Sequence, residues 1–337
     1  MKYSVIVPVY NRPDEVDELL QSLAVQSRKD FEVVIVEDGS ENKCKDVCAK
    51  YADILDLHYY YKENSGPGQS RNYGAERANG KYLIILDSDV VLPEGYFKAI
   101  DEELTESDVA FGGPDASHPS FTNTQKAISY SMTAFFTTGG IRGGKEKLDK
   151  FYPRSFNMGI RADIYRQLGG FSKMRFGEDI DFSYRIVEAG YQPRLFPEAW
   201  VWHKRRTDLR KFWRQVYNSG IARINLEKRH PGTLKLVHLL PTVFTVGVIG
   251  LILLSLLGLI TCTCWLIWVP LIPILLYSVI ILIDSSIANH SIQVGILSIP
   301  AAFTQLMGYG CGFIESWWKR CLLGKDEFQA YEKNFYK

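Results

Sequence analysis

The chain has 337 residues, 46% hydrophobic and 23% charged, with a formal net charge of +1. That balance excludes a polyanionic partner held by bulk charge, so no nucleic-acid partner is expected. Long apolar stretches dominate from about Leu236 to Ile314, which divides the chain into a globular body and a membrane part.

Tyr3–Pro8 is a short apolar, β-branched run and predicts a buried strand. It follows the first residues directly, with no basic-then-apolar leader, so the body is expected in the cytoplasm. Asn11-Arg-Pro-Asp14 is turn chemistry, and Val16, Leu19, Leu20 and Leu23 recur at helical spacing. Phe31–Val36 predicts a second strand, ending in Glu37-Asp38-Gly39-Ser40, and Leu57–Tyr61 a third. Gly66-Pro-Gly68 opens a helix that Gly80 stops. Lys81–Leu86 predicts a fourth strand and ends in Asp87-Ser88-Asp89. Strands alternating with helices at this spacing argue for an open α/β sheet, in which ligands bind beyond the carboxyl ends of the strands. Asp38 and the Asp87/Asp89 pair sit at two such ends.

Farther on, Val109–Gly113 reads as a strand and Thr122–Phe136 as a helix, followed by Gly139, Gly140, Gly143 and Gly144. Helices are expected over Ala162–Leu168 and Glu178–Ala189, and a strand over Gln192–Val201. Residues 204–235 hold ten Lys/Arg against two acids, with Leu209, Phe212, Trp213, Val216, Tyr217, Gly220, Ile221 and Ile224 on one helical face. Such a helix suits the plane of a membrane surface; packing against the body with a solvated basic back is the alternative. Leu236–Ile260, Trp265–Ile283 and Ile292–Ile314 are each near the ~20 residues that cross a bilayer. Three crossings would carry Lys319, Arg320 and Lys325 to the outside, against the positive-inside tendency. Either the third stretch is re-entrant or interfacial, or that tendency is broken here. The six cysteines show no metal-binding spacing and are expected as free thiols.

Several residues have the chemistry of a site. Asp87-Ser88-Asp89 offers paired carboxylates, which suit Mg2+ or Mn2+ shared with a diphosphate. Asp38 is an acceptor for a nucleobase N–H or ribose hydroxyl, or else a turn residue. Arg71 suits a phosphate or a base carbonyl, or pairs with a nearby acid. Glu178 and Asp179 open a helix, where a carboxylate serves as a general base or simply answers the helix dipole. His203 offers a neutral imidazole to the same cation.

Together these pieces resemble the family 2 glycosyltransferases with the A-type fold. The matching segments are Val5-Ile-Val-Pro-Val-Tyr-Asn11, Glu37-Asp-Gly-Ser40, Ser70-Arg-Asn72, Leu86-Asp-Ser-Asp89, Phe156-Asn-Met-Gly159, Gly169-Gly-Phe171, Gly177-Glu-Asp179 and His203, within residues 3–220. The resemblance implies a GT-A, Rossmann-like mixed α/β sheet over residues 1–203. An interfacial region (204–235), a membrane anchor (236–318) and a polar tail (319–337) follow. It also implies an inverting, metal-dependent enzyme using a nucleotide-diphosphate sugar, with UDP favoured. By the same resemblance Asp38 contacts the nucleobase near Pro8 and Tyr10, with Arg71, Asp87 and Ser88 on the donor side. Asp89 is the principal metal ligand, with His203 and Asp87; Asp179 is the catalytic base, beside Glu178. The processive-synthase Gln-x-x-Arg-Trp signature is absent, Phe212-Trp-Arg-Gln215 being a partial echo. The membrane part points to a lipid-linked or other membrane-associated saccharide as acceptor. A polyprenyl phosphate acceptor, or a non-catalytic sugar-nucleotide-binding protein, are the alternatives.

Overall fold

The computed structural model describes residues 1–138 and 151–327, so the four glycines after Thr138 and the end of the tail lie outside the described residues. In chain order the body runs β1 (Tyr3–Val9), α1 (Pro13–Ala24), β2 (Phe31–Asp38), α2 (Lys45–Ala49), β3 (Asp56–Lys62), α3 (Pro67–Ala75), β4 (Tyr82–Leu86), β5 (Val90–Val91), α4 (Tyr96–Glu103), β6 (Ala110–Gly112) and β7 (Asp115–Ala116). Then come α5 (Asn123–Thr133), α6 (Phe135–Thr138), β8 (Asn157–Arg161), α7 (Ala162–Gln167), α8 (Glu178–Glu188), β9 (Arg194–Leu195) and β10 (Val201–His203). The last helices are α9 (Leu209–Arg229), α10 (Leu240–Ile260), α11 (Cys264–Trp268), α12 (Leu271–Ala288) and α13 (Ile292–Trp317). The described residues divide into two compact units, one of 1–118 and 151–204, the other of 119–138 and 205–327.

In the first unit, a mixed sheet of order β3-β2-β1-β4-β8-β6-β9 forms the frame. β1 to β4 are parallel, and β8 enters antiparallel between β4 and β6. Helices cover both faces, so the parallel strands are apolar on both sides rather than alternating. Val5, Val7, Val33 and Ile35 pack with Val16, Leu19 and Leu23 of α1 and with Phe97 and Ile100 of α4. Ile6, Val34, Val36 and Ile85 pack on the other face with Ala75 of α3, Ile164 of α7 and Phe182 of α8. Gly74 lets α3 lie close to the sheet, since a Cβ there would sit 2.7 Å from Ile6 Cγ2. A second sheet, β5-β10-β7, stands beyond the end of β4.

Two expectations change. The stretch Gln192–Val201 is not one strand: only Arg194–Leu195 and Val201–His203 pair, because each joins a different sheet. The helix expected over Thr122–Phe136 starts on a Thr122/Gln125 capping box, but Ala134 turns extended and splits it into α5 and α6.

Among the described residues of the second unit, three helical stretches are long and apolar enough to cross a membrane: Leu236–Ile260 and Cys264–Ala288, each of mean hydropathy 2.7, and Ile292–Leu322, of mean hydropathy 1.2. Pro300 lies inside α13 without ending it. The apolar face of α9 rests on α13, with Phe212 and Val216 in one cluster with Ala301.

Candidate active site

The ends of β2 and β4 and the small second sheet build the site. β4 delivers Asp87, Ser88 and Asp89 directly after Leu86, and the chain re-enters a strand at Val90. β10 pairs antiparallel with β5, setting His203 opposite Val90 and Trp202 opposite Val91. That register brings His203 Nε2 to 3.2 Å from Asp89 Oδ1, although 114 positions separate them in the numbering (203 − 89). The backbone closes the same contact, with Lys204 N donating to Asp89 O at 3.0 Å. β7 runs parallel to β10 on its other side and puts Asp115 Oδ2 at 3.6 Å from His203 Nδ1. Phe156 stacks on the imidazole at 4.9 Å and fixes its plane. Ligand atoms of Asp87, Asp89 and His203 all lie within 4.8 Å of one another.

The Glu178/Asp179 pair arrives from α8. Gly177 takes φ +84°, a left-handed conformation open to glycine, and turns the chain into the helix. Buried Arg71, from α3, joins the two acidic groups: it donates to Asp87 Oδ1 at 2.6 Å and to Glu178 Oε1 at 3.0 Å. Arg154 Nε donates to Asp179 Oδ2 at 2.6 Å. Arg12 NH1 lies 3.4 Å from Asp89 Oδ2. Among the described residues, five carboxylates (Asp87, Asp89, Asp115, Glu178, Asp179) thus meet three guanidiniums (Arg12, Arg71, Arg154). Carboxylates outnumber guanidiniums here, and the excess is of the sign a cation answers.

The two α8 acids differ. Burial pushes the Glu178 carboxyl up to about 7, opposed by Arg71 and reinforced by the neighbouring Asp179 charge. Burial acts on Asp179 in the same sense, but the Arg154 ion pair and hydrogen bond outweigh it and hold Asp179 below the usual carboxylate range.

Asp38, at the end of β2, belongs to a separate knot. Its carboxylate accepts from Ser65 N at 2.9 Å, Gly66 N at 2.8 Å and Lys62 Nζ at 2.6 Å. It therefore shapes the loop into α3, the helix that carries Arg71. Beside it, Glu37 is fully buried and accepts from Cys44 N at 2.7 Å, Cys44 Sγ at 3.0 Å and the Ser40 hydroxyl. Pro8 and Tyr10 stand at the end of β1, next to β2. The six cysteines are free thiols, as expected.

A family model described as glycosyl transferase family 2 matches residues 4–169. Residues 4–169 belong to glycosyl transferase family 2. An uncharacterised glycosyltransferase of Rickettsia typhi is 37% identical over 195 residues, 55% of this chain and 58% of that protein. The pre-mycofactocin glycosyltransferase of Mycobacterium tuberculosis is 26% identical over 249 residues, 68% of this chain and 48% of that one. The chain thus spans about half the length of these two curated relatives. A mannosyltransferase of Pyrobaculum calidifontis, solved with GDP-Man and Mn2+, shares the fold at a TM-score of 0.59 over 95% of this chain and 88% of that one, at 15% identity. The chain therefore carries a family 2 glycosyl transferase region on a GT-A-type fold, followed by apolar C-terminal helices. Arg12, Lys62, Asp115 and Arg154 were not read from the sequence. Arg12 had a local signal, since it sits in the turn that leaves the first strand. Arg154 lies between Gly144 and the helix expected over Ala162–Leu168, where no periodicity gives a guide.

Proposed function

We propose that this glycosyltransferase moves one sugar from a nucleotide-diphosphate donor to a hydroxyl of a membrane-associated, lipid-linked saccharide, with inversion at the anomeric carbon. One observation carries this reading: Asp87, Asp89 and His203 converge on a single point at strand ends, beside an acid pair. Two hard carboxylates and an imidazole fit Mg2+ or Mn2+, with positions left for phosphate oxygens, and the excess of carboxylates over guanidiniums supports the fit. When bound, such an ion supplies charge neutralisation at the departing diphosphate. Asp179, ionised through the neutral range, accepts the acceptor hydroxyl proton as the oxygen attacks. Arg71 orients Asp87 and Glu178 together, so donor and acceptor sides are held by one guanidinium. The Asp38 carboxylate is taken up by Lys62 and by the Ser65 and Gly66 amides, so its proposed part at the nucleobase is to shape the loop beside it. The anchor and basic helix support a membrane acceptor.

The test is a donor screen by released nucleotide diphosphate, on the wild type and Asp89→Ala, with Mn2+ added and withheld. Turnover of UDP-, dTDP- or GDP-sugars that needs the ion, and falls at least about 100-fold in Asp89→Ala, is expected. Ion-independent turnover, or a wild-type rate in the variant, removes the reading.

A further inference from the structure

We infer that α13 lies in the plane of the membrane surface beside α9, and that only the hairpin of α10 with α11–α12 enters the bilayer. Length and composition alone make α13 a third crossing, but its packing within the second unit does not. A third span antiparallel to α12 would run down that helix to the far turn. The start of α13 does run antiparallel to α12, where a Cβ on Gly295 would meet Ser286 Oγ and Leu282 O, Ser298 and Ser285 share a hydrogen bond of 2.7 Å, and Phe303 lies 5.6 Å from Tyr277, but these contacts stop at Tyr277, short of the first turn of α12. Against α10 the contacts do not advance at all. Phe303 touches Phe244, Thr245 Oγ1 reaches Leu306 O at 3.4 Å, and Gly310 rests on Thr245 and Pro241 O. As α13 proceeds by seven residues, from Phe303 to Gly310, its partner on α10 remains the first two turns. The far half of α10 is matched by α11 instead, through Ser255 to Ile267 O and Gly258 against Leu266. α13 therefore crosses over the entrance of the hairpin.

From Gly308 onward its companion is α9, parallel and side by side. Gly308 lies against Val216, Gly312 against Tyr217 O and Gly220 against Tyr309 O, while Ser316 donates to Ile221 O and Lys228 Nζ to Arg320 O. α9 carries Arg210, Lys211, Arg214, Arg223, Lys228 and Arg229. Were α13 to cross, this helix would be drawn into hydrocarbon with it, where each such charge is costly. In the plane of the surface the same charges reach headgroups, and the exposed Trp213, Trp317 and Trp318 take the level favoured by interfacial aromatics. The conflict in the sequence also resolves: Lys319, Arg320 and Lys325 stay on the face that holds the basic stretch before α10. The partner is a bilayer surface, and anionic headgroups match the charge. This inference rests on the membrane reading and not on the transfer chemistry, so either stands if the other fails.

Natural cysteines report the answer in the full chain. Cys262 and Cys264 are exposed at the hairpin turn and Cys321 is exposed after α13. Sealed vesicles of one orientation are treated with a membrane-impermeant maleimide and labelled sites are mapped by mass spectrometry. Cys321 should label from the face opposite to Cys262 and Cys264, with at least ten-fold preference, and together with a Lys235→Cys reporter before α10. A second reporter, Lys325→Cys, should follow Cys321. Labelling of Lys325→Cys or Cys321 from the same face as Cys262 would restore three crossings and overturn the inference.

Discussion

Two adjacent acids on α8 carry different charge states, and each gives its own measurement. Asp179 is held ionised by Arg154, so Asp179→Asn should lower kcat by about 10²–10⁴ while donor KM moves within a few-fold. A full rate in the variant excludes Asp179 as the base. Burial raises the Glu178 carboxyl to about 7 in the folded chain, from an ordinary 4.5. The folded state then binds this proton more tightly than the unfolded chain, so its contribution is best at low pH and weakens as pH rises through 7. Wild type should lose on the order of 1–3 kcal/mol relative to Glu178→Gln between pH 5 and pH 8, read as the difference in thermal unfolding. Parallel stability curves would show that Glu178 does not titrate there. Asp87, Asp89, Glu178, Asp179 and His203 were legible from sequence because acids at strand and helix ends are local signals. Their pairing was not: Arg71, itself a candidate from the sequence, finds Glu178 across 107 positions, and Arg154, which was not, finds Asp179 across 25, and no spacing announces either pair.

At the scale of elements, strand identity was legible where burial is two-sided. β1, β2 and β4 read as continuous apolar runs and form the parallel centre of the sheet. The small sheet was not legible, because two-residue strands such as β5 and β7 carry no period; yet its register is what sets His203 against Asp89. The glycines of α13 were visible, but not their purpose. They face three ways, Gly295 toward α12, Gly308 and Gly312 toward α9 and Gly310 toward α10, and a hydropathy average cannot see that. A Cβ on Gly312 would lie 2.0 Å from Tyr217 O, a backbone atom that cannot step aside. Gly312→Leu should therefore force the helices apart and strain the Tyr217–Glu315 hydrogen bond, at a cost of about 1–3 kcal/mol. Gly247→Leu on α10, where no atom lies within 4 Å of the added Cβ, is the matched control. Thermal unfolding in detergent should separate the two variants by several degrees; equal midpoints would deny the close α9–α13 contact.

For the whole molecule, a net charge of +1 conceals a segregated distribution. The site gathers carboxylates, whereas Arg210, Lys211 and Arg214 stand exposed around Trp213 at the start of α9. Each basic side chain near an anionic bilayer contributes about 1 kcal/mol of attraction, and that attraction fades with salt. On the proposed topology the hairpin holds the chain in the membrane and this charge is not needed for anchoring; its effect should appear in how α9 and α13 settle on the surface. In nanodiscs, a membrane-borne acceptor should be glycosylated faster when the lipid is anionic than when it is zwitterionic. Replacing Arg210, Lys211 and Arg214 together by Gln should erase that difference and leave donor hydrolysis without acceptor unchanged. If the variant keeps the lipid dependence, headgroup charge acts elsewhere on the chain. If both proteins ignore lipid charge, the basic face of α9 serves only to keep that helix out of the hydrocarbon.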